Sequence, residues 1–125
     1  MAEWSRGELD RIGEAEELEI APRRGDGTIR KPIPIWVVRA RNDIYVRSVN
    51  GRKSAWFRTA LARHEGQIRA GGVEKDVILE EAGDEVNDEV DSVYRSKYSR
   101  YAASIVNSIV SPQAAAATMK LMPRL

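Results

Sequence analysis

The chain has 125 residues, 42% of them apolar, with five prolines, no cysteine and a formal charge of +1. That length predicts one domain, residues 1–125, with a single modest core, and the composition is that of an ordinary globular protein. Without cysteine there is no disulfide, thiolate nucleophile or thiolate metal site, and no run approaches the roughly eighteen apolar residues of a membrane-spanning helix.

The chain begins MAEWSRGELD, acidic and without an apolar run after basic residues, so no secretory signal is expected and the protein reads as cytoplasmic. Ser5 and Glu8 have the spacing of a capping box, and Trp4 and Leu9 that of a hydrophobic staple. A helix follows, with Leu9 and Ile12 on its apolar face, continued less regularly by Ala15, Leu18 and Ile20. Its glutamates at 14, 16, 17 and 19 place it on the surface, and Pro22 with the Gly25-Asp26-Gly27 turn ends the region.

In TIRKPIPIWVVRA, residues 28–40, Pro32 and Pro34 donate nothing to a ladder, so this piece lies at a sheet edge, with the strand proper over Ile35 to Val38 and Trp36 in the core. Arg41-Asn42-Asp43 predicts a hairpin turn, and IYVRSV, residues 44–49, its returning arm. Ile44 and Val46 form the core face, which leaves Tyr45 and Arg47 facing outward or into a cleft. Asn50-Gly51 is the strongest short hairpin signal in the chain. SAWFRTALA, residues 54–62, fits a strand or a helical turn. GQIRAGG and VEKDVILEEAG read as two strands bent at Gly71-Gly72, the second alternating Val73, Lys75, Val77 and Leu79 against an exposed face.

One long helix is predicted from about Val86 to Ile109, with Val90, Tyr94, Tyr101 and Ile105 buried and Asp88, Asp91 and Arg95 wet. Asp91 and Arg95 have i,i+4 spacing, and Ser111-Pro112 stops the helix. AAATMKLMPRL, residues 115–125, is a closing strand or a tail docked on the core. Together these elements predict a mainly β domain with helices: a small antiparallel barrel, an N-terminal surface helix and a long C-terminal helix packed on it, closed by a short strand.

Charge is unevenly spread. Residues 1–22 carry two basic and seven acidic side chains, residues 23–58 ten basic and two acidic, and the remainder eight basic and ten acidic. The middle segment attracts an anion if the fold gathers it on one face, and is otherwise a solvated rim. RRGDGT and IRAGGVE have neither Walker nor dinucleotide-loop spacing. His64 is the only histidine and reads as a surface loop residue, so no zinc site or Ser-His-Asp triad is expected, and the acids at 84–91 lack calcium-loop spacing. The near-zero net charge and the lack of a known module argue against nucleic acid as a partner. What remains is YVRSVNGRKSAWFR, residues 45–58, whose arginine forks and tight turn suit a phosphate group; Trp36, Trp56 and Phe57 supply an apolar wall for a planar ring where they do not pack in the core.

The segments IPIWVVRA, IYVRSVNG, WFR, IRAGGVEKDV, DSVYRSKY and KLMPR resemble a small bacterial family of uncharacterised function, over nearly the whole chain. At fold level that family resembles the split-barrel flavin proteins, which include the pyridoxamine-phosphate oxidases and the deazaflavin-dependent reductases. NGRKSAWFR is similar to the reductases' G-R-K-S turn. The resemblance implies a cofactor site of Arg47, Ser48, Arg52, Lys53, Ser54, Trp56 and Arg58, with Arg47, Arg52 and Lys53 converging on a phosphate. It also implies FMN or a deazaflavin as ligand, redox activity carried by that cofactor, and a homodimer sharing a site between subunits. The proline that follows the reductases' turn is replaced here by Trp56-Phe57-Arg58, and no later aromatic-rich cofactor segment is recognisable. The alternative is a structural or ligand-sensing dimer without catalysis.

Overall fold

The computed structural model describes residues 3–124; Met1, Ala2 and Leu125, at the ends of two segments read above, lie outside the described residues. Seven antiparallel strands form one sheet: β1 Leu18–Pro22, β2 Ile33–Ile35, β3 Val37–Ala40, β4 Asp43–Arg47, β5 Glu65–Ala70, β6 Val73–Glu81 and β7 Thr118–Pro123. Their order across the sheet is β2-β1-β5-β6-β7-β4-β3. The two edge strands are therefore neighbours in the chain, joined only at Trp36. The sheet curls into a nearly closed barrel whose split lies at that residue, and an almost closed sheet leaves little unpaired edge. Pro34, which cannot donate to a ladder, sits on edge strand β2 as its chemistry demands.

Helix α1, Arg6–Glu14, starts with the capping box: Glu8 N–H donates to Ser5 Oγ at 3.1 Å, and Ser5 N–H to Glu8 Oε1 at 2.9 Å. It buries Leu9 and Ile12 against the barrel and ends at Glu14, so Leu18 and Ile20 belong to β1. Their burial follows the strand period, which the helical reading of those two residues had missed. Trp4 seals this end of the barrel, its indole N–H donating to the Leu121 carbonyl at 2.9 Å.

Asn50-Gly51 does not turn a hairpin. Gly51, at φ +79°, opens a 3-10 turn over Gly51–Lys53, and α2, Ala55–Arg63, follows. Trp56, Phe57 and Ala60 become buried along one helical stripe, and that burial outweighs the local hairpin preference. A side chain at position 51 would meet Gln113, besides being strained at that φ.

The C-terminal helical segment is broken. Helix α3, Asn87–Lys97, and helix α4, Ala103–Ile109, are separated by a short turn, and a four-residue α5, Pro112–Ala115, leads into β7. Tyr98 continues the buried face of α3, and the break after it shifts the helical phase, so Val106 is buried whereas Ile105 is 48% exposed. Val90 and Tyr94 are buried as expected, and Tyr101 is half-buried. These helices cover the outer face of β3 and β4, forming a second core of Val38, Ala40, Tyr45, Val90, Tyr94, Tyr98, Val106 and Ile109. Strand β4 is thus buried on both faces, and Tyr45 points into packing rather than solvent. With this covering, helices account for about as much of the chain as strands, although the barrel still organises it. Replacing Ile109 by alanine is expected to cost about 2–5 kcal/mol by emptying a packed site. Ser104→Ala, on the exposed face of the same helix, should cost less than about 0.5 kcal/mol, and denaturant midpoints of the two variants check the contrast.

Candidate functional site

Arg47 is the most constrained residue of the turn region. It emerges at the end of β4 on the face covered by α3 and α4, and is 1% exposed. Its guanidinium forms an ion pair with Asp91 and donates to Thr118 Oγ1 at 2.9 Å and to the Ile109 carbonyl at 3.1 Å. Longer bonds reach the Asn87 carbonyl and side chain. Asp91 is therefore half-buried and paired with β4 rather than with Arg95, which instead reaches Asn107 at 3.4 Å. Removing one partner of a buried pair leaves a charge without compensation. Asp91→Ala should accordingly lose about 3–5 kcal/mol of stability, whereas Asp88→Ala, on the exposed face of the same helix, should change it by less than about 0.5 kcal/mol; thermal or urea unfolding distinguishes them.

The chain runs from Arg47 into Ser48 and the turn. Ser48 is buried, its N–H donating to the Ala117 carbonyl at 3.1 Å, and its hydroxyl pairs with that of Ser54 at 2.7 Å. Ser54 is the N-cap of α2 but makes no side-chain cap bond to it. The positive end of this nine-residue helix therefore faces the turn without a side-chain acceptor of its own.

Beside the turn lies a cleft of about 390 Å³, within the usual range for small-molecule sites. Ser48, Asn50, Ser54 and the inner surface of Arg47 line one side, and Ile35, Trp36, Trp56, Ile105 and Ile109 supply apolar walls. Glu17 is its single carboxylate. Trp36, half-buried and lining this cleft rather than filling the core, stacks on Tyr98 with ring centroids 3.8 Å apart and planes 1° from parallel. Tyr98 is itself fixed: its hydroxyl accepts from Val37 N–H at 3.1 Å and donates to the Glu16 carbonyl at 2.8 Å, and burial pushes its ionisation up. Next to it, the Lys97 ammonium donates to the Ala15 and Val37 carbonyls at 2.6 Å each, and burial lowers its pKa to about 8. The aromatic wall is thereby held by the end of α3, the start of β3 and the link between α1 and β1.

The structure brings Arg47, Ser48, Ser54 and Trp56 to this cleft, but not Arg52, Lys53 or Arg58. Arg52 turns the other way, donating to Glu81 at 2.6 Å and to the Ala116 carbonyl at 3.1 Å, with its guanidinium over the Phe57 ring. Lys53 is exposed on the turn, and Arg58 faces a separate hollow across α2. The expected convergence of Arg47, Arg52 and Lys53 on one point is absent, because distant acids engage two of the three. Sequence reading weighed Trp36 as a ring wall but favoured the core for it, and missed Asn50 and Ile105 as cleft residues. The one available signal for Trp36 was its place two residues after Pro34, in a stretch that Pro32 and Pro34 marked as an edge rather than a core strand. His64 is a surface residue, in the left-handed region at the end of α2, with Nδ1 2.8 Å from the Leu79 carbonyl. Among the described residues, no cluster of three or more metal-ligating side chains occurs, and no helix is long and apolar enough to cross a membrane.

A seven-stranded split barrel with a tryptophan-walled cleft beside a strand-to-helix turn defines the class of protein. The chain belongs to the bacterial family described as uncharacterised protein conserved in bacteria (DUF2255), whose model matches residues 8–121. No curated protein matches it. Among solved structures it is similar to an F420 reductase, at 13% identity and TM-score 0.65, over 98% of this chain and 97% of that one. It is similar also to HutZ, the heme storage protein from Vibrio cholerae, at 12% identity and TM-score 0.66, over 93% and 87% of the two chains. A third similar structure is a FAD-binding protein from Mesorhizobium loti, at 17% identity and TM-score 0.58, over 98% and 91%. At these identities the likeness establishes the split-barrel fold.

Proposed function

We propose that the protein binds a flavin-type phosphorylated cofactor, FMN or a deazaflavin, in the cleft between Trp36 and Trp56. The observation that carries this reading is one cleft combining an aromatic wall with the Ser48–Ser54 turn and the start of α2. A planar ring system matches the indole and aliphatic surface, and a phosphate group matches the hydroxyls, the Asn50 amide and the positive helix end. Lys53, exposed on the turn outside the cleft, is not among the proposed ligands, and Arg52 takes part only by leaving Glu81. The similar structures described as an F420 reductase and a FAD-binding protein support a cofactor of this kind. A bound flavin supplies the electron chemistry itself, so the chain's task is to hold the phosphate, orient the ring and shield one side of it from water.

The proposed functional unit is a homodimer. Val49 and Ile105, 43% and 48% exposed, stand at the rim of the cleft, and a second copy laid over them would bury both and enclose the ligand. Light scattering should give the mass of two 14.0 kDa chains, and the mass of one would remove the dimer.

The phosphate assignment has a direct test in Ser54→Asp. Aspartate is as good an N-cap as serine, so the fold should persist while a negative charge stands where the phosphate is proposed. Affinity for FMN should fall about tenfold or more, and affinity for riboflavin less than about twofold. Equal losses for both ligands would remove the phosphate role. Failure of the unaltered protein to bind either one would remove the cofactor reading.

A further inference from the structure

Folding neutralises half of the basic side chains of the middle segment. Arg23 lies near Glu65, and Arg39, Arg41, Arg47 and Arg52 pair with Asp10, Glu89, Asp91 and Glu81. Arg24, Arg30 and Arg58 form no ion pair among the described residues, yet they line one hollow of about 310 Å³. No carboxylate lines that hollow. The nearby loop acid, Asp26, is engaged by the Thr28 N–H at 3.0 Å and the Thr28 hydroxyl at 2.7 Å.

The hollow is also held in shape. Residues 23–30 form a tight loop closed by the Arg23–Ile29 bridge, with Arg24 N–H donating to the Thr28 carbonyl at 2.7 Å and Arg30 N–H to the Pro22 carbonyl at 2.9 Å. Arg63, on the last turn of α2, donates to the Gly25 carbonyl at 3.2 Å and ties the loop to the helix that carries Arg58. Arg24 and Arg30 on this braced loop and Arg58 on α2 thus border one hollow that no carboxylate lines, and the Arg24 guanidinium is held on the loop, donating to Thr28 Oγ1 at 3.2 Å and to the Ile29 carbonyl at 3.3 Å. Such a grouping is repulsive by itself and becomes favourable once an anion enters.

We propose that Arg24, Arg30 and Arg58 form a second anion site, built for a phosphate or diphosphate group carried by a small molecule. Guanidinium forks match phosphate oxygens in pairs, and three of them provide more charge than a single carboxylate needs. The hollow is shallow and no aromatic side chain lines it, so it suits the anionic group and not a ring. It is distinct from the tryptophan cleft: the first turn of α2 lies between them, with Ser54 and Trp56 on one side and Ala55, Arg58 and Thr59 on the other.

Calorimetric titration of the full chain with inorganic pyrophosphate tests the site, using Arg30→Ala, Arg58→Ala and, as a control of equal charge change, Arg95→Ala on α3. The first two should each weaken pyrophosphate binding about tenfold, the loss expected for one charge-assisted contact. Arg95→Ala should leave it within about twofold, and Arg58→Ala should leave affinity for FMN and riboflavin unchanged. That last readout separates this site from the cofactor reading. Equal weakening by all three variants would show diffuse attraction to a basic surface and overturn the proposal, as would the absence of saturable pyrophosphate binding by the unaltered protein.

Discussion

The buried charge of Arg47 is the constraint on which the architecture around the cleft depends. A guanidinium with 1% exposure is tolerable only if every side of it meets an acceptor. Asp91 comes from α3, the Ile109 carbonyl from the end of α4 and Thr118 from the start of β7. One side chain thereby fixes two helices and the closing strand against β4. The strand end that it anchors is also where Ser48 begins the turn. Because these bonds occupy Arg47, the anion contacts proposed for the cleft are assigned to the hydroxyls, the amide and the helix terminus beside it.

The second determinant is the break between α3 and α4. A continuous helix would have carried Ile105 toward the core, whereas the break turns it to the cleft; just before the break, Tyr98 on the buried face of α3 gives Trp36 a parallel ring to rest on. Trp36 spans the barrel split, the one place where the sheet lacks a ladder, and an indole there needs support from outside the sheet. Tyr98 supplies it through hydroxyl bonds to the backbone on either side. Tyr101 adds a tilted ring 4.9 Å away, and its hydroxyl donates to the Glu16 carboxylate. Hydrogen bonds from Tyr101 and Arg100 hold that carboxyl below its ordinary range. The cleft wall is thus a product of helix placement as much as of the barrel.

What was legible in the sequence was local. The capping box at Ser5, the hairpin at Arg41–Asp43, the Gly71-Gly72 bend and the alternation of Val73, Val77 and Leu79 each rest on neighbours a few residues apart. The split barrel itself followed from the resemblance of several such segments. What stayed hidden depended on distant partners. Arg47 looked like a free phosphate ligand because Asp91 lies 44 positions on, and Arg52 looked free because Glu81 lies 29 positions on. Asn50-Gly51 misled for a related reason: the hairpin preference of two residues yielded to burial of Trp56 and Phe57 in the barrel. Arg58, read as a neighbour of Trp56, lies across the helix from it, since adjacent stretches of one helix open on different faces.

The central claim is that the cleft between Trp36 and Trp56 receives a flavin. The chain has three tryptophans, and Trp4, bonded to Leu121 at another end of the barrel, is a built-in reference. Titration of 15N-labelled protein with FMN, followed at the three indole N–H resonances, tests the claim most directly. The proposal predicts saturable shifts of the Trp36 and Trp56 signals with Trp4 unmoved. Unchanged positions of the Trp36 and Trp56 signals, or a shift of Trp4 as large as theirs, would contradict it.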